Sequence, residues 1–154
     1  MEIVSWRIVK ERYVSAAFNG IGAKKAGGRW NSPGTSMVYT AQSLSLATLE
    51  LTVHLPSVDL LKGYKCVSIT FNDSCITASP TLPVGWDMHP PGPASQLYGD
   101  QWILNGKSAV LEVPSVVIPG ESNYLINPIH SDFADMNIGS PVDYPYDPRL
   151  HKTI

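Results

Sequence analysis

Residues 27–50 read GGRWNSPGTSMVYTAQSLSLATLE, and they pass from loop to turn to strand to helix. In "NSPG", Pro33 presets φ at the second turn position, and Gly34 supplies the positive φ that a type II turn requires. "SMVYTA" is then a short strand. Ser43 stands as the N-cap of a helix through "LSLATLELTVHL", and Pro56 ends that helix. Arg29 lies between a flexible Gly-Gly and a large aromatic, on a stem beside the strand. Its surroundings pose the question of what a planar cation does there.

The helix supplies a carboxylate. Projected at about 100° per residue, Leu44, Ala47, Leu51 and Leu55 form one apolar stripe, and Leu46, Leu49 and Val53 form a second. Ser45, Thr48 and Thr52 occupy the wide gap, which is the expected solvent face. Glu50 and His54, spaced i and i+4, fall in the narrow gap between the stripes. The helix offers no Lys or Arg to pair with Glu50. A buried, unpaired carboxylate costs several kcal/mol, so a partner comes from elsewhere or the site is functional. The structural alternative is a Glu50–His54 or Glu50–Arg pair that ties the helix down.

Around this unit, "IVSWRIV" reads as a first strand with Arg7 on the polar side of its alternation. Residues 15–28 read as a loop or one short helix. "YKCVSITF" is a strand, and residues 78–100 read as a long, ordered, proline-rich loop, a lid or a rim. "QWILNG" is a short helix ending at Gly106. "SAVLEVPSVVIPG" gives one or two strands, with Pro114 marking an edge or bulge. "NYLINP" is another strand, and "YPYDPRL" an extended tail. Single short strands around one or two helices, with no βαβ series, define an α+β class: a compact mixed β core with few helices, in one domain over residues 1–154.

Composition narrows the function. The chain has 154 residues, 44% of them hydrophobic, and only 16% charged, against roughly 25% charged in an average globular protein. A formal net charge of −2 gives no electrostatic footprint for nucleic acid. Cys66 and Cys75 match no zinc spacing, and no metal is expected. They read as reduced thiols of a cytoplasmic protein. The N-terminus is neither a signal peptide nor a membrane span.

Other residues carry two readings each. Arg29 is either a solvated loop arginine or a fork for phosphate or ribose. Tyr39 is a core tyrosine or a stacking platform. "GAKKAGG" lacks the Walker pattern, and Ser115 after Pro114 is not in a nucleophile elbow. In "INPIH", Asn127 starts a turn or offers a ligand-binding amide.

Read together, "WRIV", "GGRWNSPGTSMVYTAQSLSLATLEL", "VPSVVIPGESNYLINPIH" and "YDPRL" resemble the RES-domain family across nearly the whole chain. The resemblance implies a toxin of a bacterial toxin–antitoxin pair, with a fold similar to ADP-ribosyltransferases and diphtheria-type toxins. It implies NAD as substrate, consumed by hydrolysis or phosphorolysis at the nicotinamide–ribose bond, or used to transfer ADP-ribose to a protein. It implies an Xre-like antitoxin covering the active site, with any DNA binding left to the antitoxin. A homo-oligomer within that complex stays open. By the same resemblance Arg29, Tyr39 and Glu50 are the catalytic set. His54, Ser115 and Asn127 join Arg29 and Tyr39 in binding NAD, and Phe18 and Trp30 wall the pocket. The alternative of a different class is a non-enzymatic interaction module with a structural Arg29–Glu50 pair.

Overall fold

The computed structural model describes residues 1–79 and 81–150. Its framework is one curled sheet in the order β4-β5-β6-β2-β1-β3-β7, with β8 also on β3. The strands are β1 (Glu2–Lys10), β2 (Val38–Ala41), β3 (Tyr64–Asn72), β4 (Ile76–Ala78), β5 (Val110–Pro114), β6 (Ser122–Ile126), β7 (Asn137–Ile138) and β8 (Val142–Asp143). Three helices join them: α1 (Ile21–Ala26), α2 (Leu44–Thr52) and α3 (Pro93–Asn105). All pairings are antiparallel except β4 on β5. This is the α+β architecture that the sequence indicates, with short strands and few helices.

β5 and β6 are buried on both faces, and period-two alternation divides their residues between two cores. Val110, Tyr124 and Ile126 join Val9, Phe18, Val67, Ile69 and Phe71. Leu111, Val113 and Leu125 join Trp30, Met37, Trp102 and Ile103, beneath α3. A third, smaller core sets Leu46 and Ala47 of α2 against Ala41, Trp6 and Ile8.

The "NSPG" turn forms as expected. Thr35 N–H donates to the Ser32 carbonyl at 3.1 Å, and Gly34 has φ 104°. Ser43 caps α2, its hydroxyl accepting from Leu46 N–H at 3.0 Å. The helix ends at Thr52, earlier than the sequence indicates. His54 and Leu55 continue as turns whose N–H groups donate to Leu51 and Thr52 carbonyls.

Of residues 78–100, Ala78 closes β4, and residues 81–92 are a loop. Pro93 opens a 13-residue helix, α3, which absorbs "QWILNG" and ends at Gly106. Proline at the first helical position is a start signal, but Gly99 in mid-run obscures it. That glycine is a packing requirement: a Cβ there would sit 1.7 Å from the Trp30 carbonyl oxygen. The same face of α3 donates from Gln96 Nε2 to the Gly28 carbonyl at 3.0 Å and accepts at Asp100 Oδ1 from Ser32 N–H at 2.9 Å. The loop bearing Arg29 is therefore clamped onto α3 at three points.

β1 pairs with β3 over nine residue pairs but meets β2 at one, Trp6 with Ala41. The two central strands splay, and a cleft opens beside the splay. The tail then returns to α2, where Tyr144 shares a 3.0 Å hydrogen bond with Thr48, and to the turn at residues 58–63 beyond it, where Tyr146 donates to Asp59 at 2.5 Å.

Candidate active site

The cleft has a volume of about 610 Å³, within the range of small-molecule sites. Arg7 of β1, Arg29 and Trp30 of the 27–30 loop, Tyr39 of β2, Glu50 of α2 and Asn123 of β6 all line it, with His54 at the end of α2. Four of the six predicted site residues, Arg29, Tyr39, Glu50 and His54, thus share one cavity.

Glu50 lies off the solvent face, but that face is not the one the helical projection indicates. Leu49 and Val53 are exposed (45% and 60%), whereas Thr48 is partly covered by the tail. Contact with β1 and β2 sets the rotation of α2, and the stripe holding Leu46 and Ala47 wins. Glu50 then meets two donors, one per oxygen. Ser115 Oγ donates to Oε1 at 2.8 Å, and Asn123 Nδ2 donates to Oε2 at 2.8 Å. An ionised carboxylate offers about four lone-pair positions, so each oxygen keeps capacity for a ligand. Burial is the dominant influence and raises the carboxyl above its usual range, opposed by the Ser115 and Asn123 hydrogen bonds. Glu121 adds to the rise, and His54 opposes it.

Ser115 is buried (3% exposed) and stands behind Glu50 rather than in the cavity lining. Its oxygen also accepts from the N–H groups of Val117 and Ile118 at 3.1 and 3.2 Å. Those bonds orient the hydroxyl proton toward Glu50. Asn127 lies away from the cleft and is buried. Its Oδ1 accepts from Ile129 N–H at 3.1 Å, closing the turn through Pro128. The turn reading of "INP" therefore describes it. Phe18 belongs to the opposite core, and of the two expected walls only Trp30 lines the cavity.

Arg29 makes no ion pair with Glu50, which corrects the structural-pair alternative. Its Nη1 donates to the carbonyls of Trp86 and Met88 at 3.0 and 2.8 Å, and Nη2 meets His89 Nδ1 at 3.1 Å. Burial lowers its pKa, with the Asp87 carboxylate opposing. The 82–92 segment is held to the cleft by this fork and by Trp86, whose ring stacks on Trp30 at 5.9 Å and 20°.

Tyr39 has its hydroxyl engaged from within. It donates to Asn31 Oδ1 at 2.6 Å and accepts from Trp30 N–H at 3.0 Å, and burial drives its pKa up. A side chain at Gly28 would crowd that hydroxyl at 2.6 Å. Asn31, fully buried, completes the loop by donating to the carbonyls of Ala23 and Thr35 at 2.8 and 3.0 Å.

Three residues escape a sequence reading: Arg7, Asn31 and Asn123. Alternation places Arg7 and Asn123 on a polar side, but it cannot separate solvent from a cleft. "WNSPG" assigns Asn31 to a turn, with no sign that its amide is the turn's interior. Among the described residues no group of three His, Cys, Asp or Glu side chains converges as a metal site would. Nor, among the described residues, is any helix long and apolar enough to cross a membrane.

The site is thus a single tuned carboxylate in a cleft at a strand splay, rimmed by arginine and aromatic side chains, on a curled α+β sheet. The RES domain model matches residues 4–147, and the chain belongs to that family. It is 40% identical over 152 residues to the Prs ADP-ribosylating toxin of Sphingobium sp. (strain YBL2), covering 94% of each chain. It is 36% identical to a Toxin Res of Photorhabdus laumondii, covering 97% of this chain and 98% of the relative. Among solved structures, the M. tuberculosis MbcT–MbcA toxin–antitoxin complex aligns with a TM-score of 0.74 at 17% identity, over 94% of this chain and 85% of the other. At that identity the likeness concerns the fold.

Proposed function

We propose that this protein is the toxin of a toxin–antitoxin pair and that it depletes NAD by cleaving the nicotinamide–ribose bond, as a glycohydrolase or phosphorylase. The observation that carries the reading is Glu50: a partly buried carboxylate in a cleft, with one donor on each oxygen and no cationic partner in contact. In NAD the nicotinamide is a cationic leaving group. When the C1′–N bond breaks, the electron pair leaves with neutral nicotinamide, and positive charge develops on the ribose as in glycoside cleavage. Ionised Glu50 accepts hydrogen bonds from the ribose hydroxyls and stabilises that charge. Leaving-group protonation is unnecessary, so one acid suffices. Water or phosphate then adds at C1′, and a water nucleophile releases its proton to solvent.

In this reading Tyr39 and Trp30 form the wall against which the ring systems pack. Arg29 closes the mouth through the 82–92 segment and has N–H groups left for the ribose. Ser115 acts through Glu50 as a positioning residue. A helical, Xre-like antitoxin seated over the mouth would silence the site. The fold neighbour's capture with its antitoxin supports such a partner. The test is nicotinamide release by the purified, antitoxin-free protein with phosphate present. Wild type consumes NAD and Glu50→Gln does not, with an unchanged circular dichroism spectrum. An inert wild type overturns the reading.

The Sphingobium relative's name favours a second reading, transfer of ADP-ribose to a protein. Labelled NAD separates the two: label on a protein band means transfer, and free ADP-ribose or its 1-phosphate means depletion.

A further inference from the structure

The two arginines of the cleft differ in what holds them. Arg29 spends three N–H groups on the 86–89 segment, next to Asp87. Arg7 sits at the splay of β1 and β2 and makes one bond, from Nη1 to the Tyr39 carbonyl at 3.0 Å. Its Nε–H is buried without an acceptor. Among the described residues no carboxylate lies within ion-pair distance of it. The guanidinium is largely desolvated, which lowers its pKa, and no neighbouring anion offsets that. A cation kept in this state by a folded protein is costly unless an anion joins it. Structural arginines normally bring their carboxylate with them; this one faces a cavity instead.

We propose that Arg7, rather than Arg29, is the phosphate-binding residue of this cleft. A planar fork suits a phosphate oxyanion in two-point contact. The bound oxygens supply both the counter-charge and, with a small turn of the fork, the acceptor that Nε lacks. The phosphate belongs either to the dinucleotide's diphosphate or to free phosphate entering as the nucleophile. This deepens the reading of the same cleft as an NAD site, and it divides labour within it: Arg7 anchors anionic oxygen and Glu50 receives the cationic ribose.

The test is calorimetry on the full chain with ADP-ribose, inorganic phosphate, inorganic pyrophosphate and nicotinamide riboside, which carries no phosphate. Wild type, Arg7→Gln and Arg7→Lys are compared in the Glu50→Gln background, so that nothing turns over. Arg7→Gln weakens ADP-ribose about tenfold or more, while nicotinamide riboside binds as before. Arg7→Lys recovers part of the loss, because charge returns without the fork. Affinity for ADP-ribose falls with added salt in the Arg7 protein and is nearly flat in Arg7→Gln. Loss of phosphate binding with ADP-ribose affinity retained assigns the site to free phosphate. If ADP-ribose and nicotinamide riboside bind no variant but pyrophosphate binds the Arg7 protein and not Arg7→Gln, the anion site stands and the NAD reading falls. Equal losses for ADP-ribose and nicotinamide riboside, or no loss for ADP-ribose, phosphate and pyrophosphate alike, overturn the proposal. Should Arg7→Gln not fold, Arg7→Lys and the rise in melting midpoint that pyrophosphate gives the Arg7 protein decide. An absent rise then overturns it.

Discussion

The wall that holds Glu50 and the rim that holds Arg29 are built by opposite means. The wall draws on three distant elements: α2 supplies the carboxylate, and Ser115 just past β5 and Asn123 of β6 each aim one donor at it. The rim is held mostly through backbone: carbonyls of Trp86 and Met88 grip Arg29, and α3 grips Gly28, Trp30 and Ser32. Side-chain donors tune a charge, whereas backbone contacts fix a shape. The acid is therefore the tuned group of the cleft, and the rim arginine organises its mouth.

The hardest blow to this contrast is Glu50→Gln. Nicotinamide release should fall by about 10² to 10³-fold with an unchanged circular dichroism spectrum; a variant retaining full activity would end the wall's special status. Gly99→Ala attacks the rim through shape alone. Its Cβ meets the Trp30 carbonyl, and we expect a loss of about 3 kcal/mol in denaturant unfolding. Ser115→Ala strikes behind the acid. It leaves two backbone N–H groups without their acceptor, costing about 2 kcal/mol, and it shifts the acid limb of the activity profile to higher pH. An unshifted limb would show that Ser115 supports the turn and not Glu50.

Arg29→Ala should loosen the 82–92 segment, read as faster proteolysis there, with a several-fold higher KM and a retained kcat. A collapse of kcat would move the arginine from tether to reacting group. The smallest effect is on pH and stability. Glu50's folded pKa is raised above its unfolded value, so the native state binds the extra proton between the two. Its contribution to stability is present below the unfolded pKa and is lost as pH rises through the folded one. Activity needs the ionised form and moves the other way. Against the wild type, Glu50→Gln should flatten the stability profile on the alkaline side of the ordinary glutamate range.

The sequence made Glu50 legible because no lysine or arginine shared its helix and the apolar stripes flanked it. The details behind that reading were less secure: burial of Leu46 and Ala47 turned Leu49 and Val53 outward, where a projection sees only hydrophobicity. Strands β1, β2, β3, β5 and β6 and the "NSPG" turn followed from local chemistry, since Pro33 and Gly34 act within four residues, whereas the short edge strands β4, β7 and β8 carry no such pattern. α3 did not, because Gly99 reads as a breaker until the Trp30 carbonyl is placed against it. Arg7 and Asn123 were polar residues on strands, and only the β1–β2 splay converts a polar face into a cleft wall. The RES resemblance could name Ser115 and Asn127 but could not tell a residue behind the acid from one outside the cleft.

The order of strands also bears on when the proposed activity can first exist. Arg29, Tyr39 and Glu50 are all translated within the first 50 residues. Yet β2 sits between β1 and β6, and the donors that set Glu50 come from Ser115 and Asn123. A ribosome-bound chain that has not yet released β6 has neither a closed sheet nor a tuned acid. Most of the message must be read before the first molecule competent for the proposed reaction exists.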